Sequence, residues 1–162
     1  MHNTTRIRLS EHISEEHIII HSSSENAEAI VREMVHVLLN ELGQDICEDI
    51  ADAIIAKEKV RTTGIGYGVA VPHTRSSLVK QLYCVAATSK KGIEFNTMDK
   101  KPAYLFFLVI SPEFTVGPHL NMISAISLLI GKNSEINAEF NEAASPSEFM
   151  EILKDKEETY IE

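Results

Sequence analysis

The chain has 162 residues, 44% of them hydrophobic and 24% charged, with a formal net charge of −9. That length and composition predict one soluble domain over residues 1–162 with a substantial core. The acidic balance excludes general nucleic-acid binding, because no basic stripe is available to neutralise phosphates.

Cys47 and Cys84 lie far apart and lack metal-ligand spacing. No apolar run reaches membrane-spanning length, and the first residues lack the apolar core of a signal peptide. A cytoplasmic chain with reduced thiols and no direct membrane insertion is the expectation.

Residues 1–17 show no sustained periodicity and predict an irregular, partly strand-like lead. Ile18, Ile19 and Ile20 predict a short strand. Ser22 and Glu25 have capping-box spacing for a helix whose apolar face is Ile30, Met34, Val37 and Leu38, up to Gly43. Ile46, Ile50, Ala53 and Ile54 define a second helix ending near Lys59.

Next come three glycines at alternate positions, Gly64, Gly66 and Gly68, then the apolar run Val69–Ala70–Val71, then Pro72 and His73. Pro72 is expected to stop the run and hold His73 on stiff backbone at a strand end. Leu82–Thr88 predicts a strand closed by Lys90–Lys91–Gly92, and Ala103–Ile110 the most buried strand. Gly117–Pro118 opens a heavily buried helix through Leu120, Ile123, Ile126, Leu128 and Ile130, stopped at Gly131. A short helix after Asn133 and a final one capped by Ser145–Pro146–Ser147–Glu148 complete the chain, with a fraying tail from Lys154. Helices before and after a central group of strands predict a layered α/β or α+β domain.

Several chemistries drop out. The glycines precede a strand instead of a helix and do not space as GxGxxG, which removes dinucleotide binding. No Walker A or GxSxG sequence occurs, and His73 and His119 have no carboxylate or cysteine set to complete a metal site. No cofactor or metal is expected. His119 lies in the first turn of its helix, where spare backbone N–H groups attract anions. Two imidazoles near such a terminus can handle a phosphoryl group, one carrying phosphorus and the other donating a hydrogen bond.

The run Thr63–Gly64–Ile65–Gly66, the segment Val69–Ala70–Val71–Pro72–His73 and the helix beginning His119–Leu120 resemble the type-2 enzyme IIA family. This is the mannitol/fructose class of the bacterial phosphoenolpyruvate-dependent sugar phosphotransferase system, with its nitrogen-regulatory branch. The resemblance covers nearly the whole chain and implies a three-layer α/β sandwich, a mixed sheet flanked by helices on both sides. It implies that His73 accepts a phosphoryl group on Nε2 from the phosphocarrier protein HPr or a nitrogen-branch relative, while His119 stabilises it. It further implies a IIB cysteine or a regulated cytoplasmic protein as the target, with regulation the preferred role. Four features depart from the family pattern: Thr74 where glycine is common, Tyr67 where a small polar residue is common, Lys57 where an arginine stands, and Gly117–Pro118 before His119. Two tasks are open to the Thr74 hydroxyl, phosphate contact or local backbone capping. Arg75 is a candidate for phosphate or a partner carboxylate, and the glycines are mainly architectural. An apolar partner surface is expected around His73, with Tyr67, Phe114 and Val116 on its rim.

Overall fold

The structure is a computed structural model that describes residues 7–131 and 135–161; Asn133 and residues 1–6 of the lead lie outside the described residues. The described lead forms two single-turn 3₁₀ helices, Leu9–Glu11 and Glu15–His17, whose Leu9 is buried with the following Ile13. Strand β1 is Ile18–Ile19. Helix α1, Ala27–His36, is capped by Asn26, whose side-chain oxygen accepts from the Ala29 amide at 2.8 Å. Asn26 thus replaces the expected Ser22 cap; Ser22 instead donates to Glu33 and accepts from the Ser24 amide. Helix α1 also ends earlier than Gly43, giving way to the short α2, Leu39–Leu42.

Helix α3, Gln44–Val60, buries Cys47, Ile50, Ala51, Ile54 and Ile55, the one-sided stripe of a 3.6-residue repeat. The glycine segment is a hairpin of β2, Gly64–Gly66, and β3, Val69–Ala70. Its turn needs left-handed backbone at Tyr67 (φ 57°) and Gly68 (φ 77°), a pair of conformations that matches the twist of a tight hairpin. β4, His73–Ser76, follows at once. Strand β5, Tyr83–Ile93, runs through the lysines instead of closing at them, with a register shift between Thr88 and Ile93. Strand β6 is Ala103–Pro112. The C-terminal helices are α4, Val116–Ile130, α5, Ile136–Asn141, and α6, Pro146–Ile161. Ser145 accepts from the Glu148 amide as expected, and the helix continues past Lys154 to Ile161, where a fraying tail was expected; Glu162 lies outside the described residues.

The sheet is mixed, ordered β1-β5-β6-β3-β2, with β4 also on β6. β5 and β6 are antiparallel, while β3 and β4 both run parallel to β6. Val69 pairs with Leu105, Ala70 with Phe106, and His73 with Val109, so one register continues across Pro72. The expected stop is therefore only a break in strand assignment: the Pro72 carbonyl still accepts from the Val109 amide at 3.0 Å. His73 begins the resumed strand.

Alternating side chains of β6 serve two cores. Leu105, Phe107 and Val109 pack with Met122, Ile126, Phe140, Phe149 and Leu153 of α4, α5 and α6. Phe106, Leu108 and Ile110 pack with Ile30, Met34, Ile50 and Ile54 of α1 and α3. This is a mixed sheet between two helical layers, the α/β sandwich expected.

Gly68 gives the hairpin a testable weak point. An added Cβ would lie 2.2 Å from Asn137 Nδ2, which donates to the Tyr67 carbonyl at 2.7 Å. Gly68→Ala is expected to lower stability by about 2 kcal/mol, from left-handed strain and the disturbed hydrogen bond. A urea midpoint equal to that of the parent would contradict it.

Candidate active site

His73 and His119 meet where β4, the end of β6 and the start of α4 converge. His73 and Arg75 pair with Val109 and Ser111, which places all four on the α4 face of the sheet. On α4 the buried stripe is His119, Met122, Ile126, Leu129 and Ile130, so helical phase turns His119 toward the sheet. The two rings lie 5.3 Å apart between centroids, tilted by 58°. The expected heavy burial of α4 is only half right: Leu120 and Leu128 are exposed.

His73 is partly exposed, and its Nδ1 is 2.7 Å from the Val71 carbonyl oxygen. A carbonyl only accepts, so Nδ1 carries the proton and Nε2 of the neutral ring holds the free lone pair. The Val71 amide donates in turn to the Thr63 carbonyl at 3.0 Å, tying this stretch to the hairpin's first strand. The His73 ring is thereby oriented by backbone two residues away.

His119 is buried and its Nδ1 is 2.7 Å from Ser111 Oγ. Burial, reinforced by the nearby charges of His73, Arg75 and Lys57, pushes its imidazole down to about 4. The unfolded ring takes a proton near its ordinary 6.5, whereas the folded ring stays neutral until about 4. Between those values the unfolded chain binds more protons, so stability is lost as pH falls from about 6.5 toward 4. Urea midpoints measured at pH 7 and pH 5 should differ more in the parent than in His119→Gln; equal differences would refute this assignment.

On the other face of the sheet, Thr74 is buried and turned toward α3. Its hydroxyl accepts from Lys57 Nζ at 3.0 Å and donates to the Arg75 carbonyl at 3.3 Å. Of the two tasks open to Thr74, its bond to the Arg75 carbonyl is local backbone capping; its bond from Lys57, which tethers the lysine that stands where an arginine was expected, was not among them. Lys57 also lies in the last turn of α3, where a cation suits the helix dipole. Arg75 is exposed beside the pair.

A groove of about 720 Å³ runs past His73 between α3 and α4, with Lys57, Glu58, Thr63 and Ser127 among its polar lining residues and Val60 and Ile123 among its apolar ones. Glu58 escaped the sequence reading. It accepts from the Thr63 amide at 3.0 Å and from the Thr63 hydroxyl, fixing the loop that bonds Val71. Burial pushes its carboxyl up, against those hydrogen bonds and the neighbouring His73. An acidic residue at a helix C-terminus, against the dipole, was the available signal. Ser111 offered none.

The glycines divide. Gly64 pairs with Ala70 and abuts Thr97, close to the Val71 segment. Gly66 and Gly68 flank the hairpin turn instead, as does Tyr67, whose amide donates to Asp99 at 3.2 Å. At about 3.3 Å per residue, Gly68 already stands roughly 16 Å along the chain from His73, and Tyr67 lies beyond it in the turn. It does not belong to the expected rim, and Gly66 and Gly68 support the hairpin, not the site. Phe114 and Val116 at the start of α4 are exposed, Phe114 by 91%.

A partly exposed imidazole with a free ring nitrogen, a buried neutral imidazole and two cations form a histidine-centred cluster suited to an anionic group. The chain belongs to the family described as phosphoenolpyruvate-dependent sugar phosphotransferase system, EIIA 2, which matches residues 11–156. Proteins of this family are phosphotransfer components. The chain is 28% identical over 147 residues to a fructose-specific EIIABC component of Bacillus subtilis, covering 91% of this chain but 23% of that protein. The crystal structure of nitrogen regulatory protein IIA-Ntr from Neisseria meningitidis superposes with a TM-score of 0.79 at 28% identity, over 90% of this chain and 98% of that one. A solution structure of mannitol enzyme IIA of Escherichia coli, in complex with phosphorylated mannitol enzyme IIB, shares the fold. Its TM-score is 0.72 at 17% identity, over 88% of this chain and 96% of that one. Both sugar-specific and nitrogen-regulatory relatives are thus represented. Among the described residues, no helix is long and apolar enough to cross a membrane.

Proposed function

We propose that the chain is a phosphohistidine carrier that takes a phosphoryl group on Nε2 of His73. The observation that carries this reading is the Nδ1 hydrogen bond to the Val71 carbonyl, which leaves Nε2 as the nucleophile. In the transfer, the Nε2 lone pair forms a bond to phosphorus as the donor's bond between nitrogen and phosphorus breaks, and the donor imidazole recovers that electron pair. Nδ1–H of His73 stays on the Val71 carbonyl throughout. His119, Lys57 and Arg75 offset the charge on the equatorial oxygens, the positioning and electrostatic work that phosphoryl transfer chiefly requires.

The donor in this reading is HPr or a nitrogen-branch HPr-like protein. The exposed Phe114, Val116 and Leu120 beside His119 supply an apolar docking rim. The output is regulation of another protein by phosphorylation state, supported by the similarity to the Neisseria nitrogen regulatory protein. The similarity to the Bacillus fructose component favours a second reading, transfer onward to a IIB cysteine.

The test is labelling with phosphoenolpyruvate and enzyme I in the presence of either donor, followed by intact mass and addition of a IIB domain. One acid-labile phosphoryl group, gained faster from the nitrogen-branch donor and kept when IIB is added, is the expected result. Rapid loss to IIB would establish the transport reading. No label from either donor would leave a binding module of the same fold and overturn the carrier.

A further inference from the structure

We propose that Ser111 is a positioning residue whose hydroxyl donates to Nδ1 of His119 and fixes the tautomer that carries its proton on Nε2. The role rests on the carrier reading above, but the hydrogen-bond assignment stands on the geometry alone.

Ser111 is 0% exposed, and its hydroxyl has one hydrogen-bond partner among the described residues, His119 Nδ1 at 2.7 Å. A hydroxyl has one proton to give and two lone pairs to receive. If Ser111 accepted from Nδ1–H, its own proton would be buried with no acceptor, an arrangement that costs more than an unused lone pair. Donation to Nδ1 satisfies it. The neutral His119 ring must then carry its proton on Nε2. That nitrogen makes no hydrogen bond among the described residues.

The two histidines consequently hold opposite tautomers. His73 is protonated on Nδ1 by virtue of the Val71 carbonyl, and Nε2 has the lone pair. His119 is protonated on Nε2 by virtue of the Ser111 hydroxyl, and so presents a donor to an oxygen of a group bound at His73. A carbonyl at one ring and a hydroxyl at the other assign nucleophile and hydrogen-bond donor. Ser111 can do this because it closes the apolar run of β6 beside Arg75, one strand position past Ile110, with its side chain on the α4 face.

The decisive measurement is the imidazole nitrogen spectrum of the unphosphorylated chain, labelled with ¹⁵N in histidine, at pH 7.5. The expected result is a protonated Nε2 and a bare Nδ1 for His119, with the reverse for His73. A protonated Nδ1 on His119 would overturn the proposal without any variant being made. In Ser111→Ala the His119 signals should move to a mixture of tautomers, and Ser111→Thr should restore them. Unchanged signals in a well-dispersed Ser111→Ala spectrum would also overturn it.

Phosphoryl transfer supplies the second arm. Ser111→Ala should slow transfer about tenfold, the lower end of what losing an outer-shell partner costs a metal-ligating histidine, with half-saturation by donor unchanged. In a His119→Ala background the same change should slow it no further. A shifted tautomer with parent-like transfer would overturn the positioning role. Failure of the parent to label would overturn the carrier reading, while the nitrogen spectra would still decide the assignment to Ser111.

Discussion

His73→Asn is expected to abolish phosphoryl labelling while leaving the fold intact. Asparagine places its amide N–H at the position of the ring Nδ1, so the local hydrogen bond to the Val71 carbonyl that orients His73 survives in kind. What it lacks is a nitrogen with an available lone pair, because the amide nitrogen's electrons are delocalised into its carbonyl. His73 is only partly buried and packs into no core, so stability should change by no more than about 0.5 kcal/mol. Intact mass after incubation with the donor system reads the first effect, and urea unfolding the second. Label of parent-like stoichiometry in this variant would move the acceptor to another residue and dismantle the site as described.

His119→Ala is expected to reduce the rate of phosphoryl acceptance by about 100-fold, the scale of removing one oriented hydrogen-bond donor from developing negative charge. Lys57 and Arg75 remain, so transfer should slow without ceasing. The variant also strands the buried Ser111 hydroxyl and empties a ring-sized space, which should cost roughly 1–3 kcal/mol of stability. Rapid-quench kinetics at a temperature where both proteins are folded separate the two effects. A parent-like rate would make His119 a packing residue alone.

Residues whose partners lie close in sequence or along a regular element were legible beforehand. The stripe of α3, the apolar run of β6 and the Pro146 helix start follow from periodicity and local hydrogen bonding alone. His73 stood out because proline and an apolar run prescribe its backbone. Contacts made by folding were not legible. Thr74 of β4 binds Lys57 of α3, and Ser111 reaches His119 over the loop into α4. Each needs the angle between two elements, which no periodicity encodes. The charged pair Lys90–Lys91 read as a turn because exposed strand residues and turn residues share the same polarity, and only pairing of Ile93 with Ala103 distinguishes them. Tyr67 was drawn into the site by sequence proximity to His73, although extended backbone separates neighbours faster than any other conformation.

The sheet's margins carry a consequence for how such a chain survives at high concentration. An edge strand is a template for adding another chain's strand, and long, flat edges seed polymers. Here β1 has two residues and β2 three, two of them glycines, while β4 has four and is entered from Pro72. None of these three strands offers more than four residues in line to a neighbour. These short margins keep the exposed side chains of Phe114 and Leu120 from being joined to a long open strand edge of β1, β2 or β4.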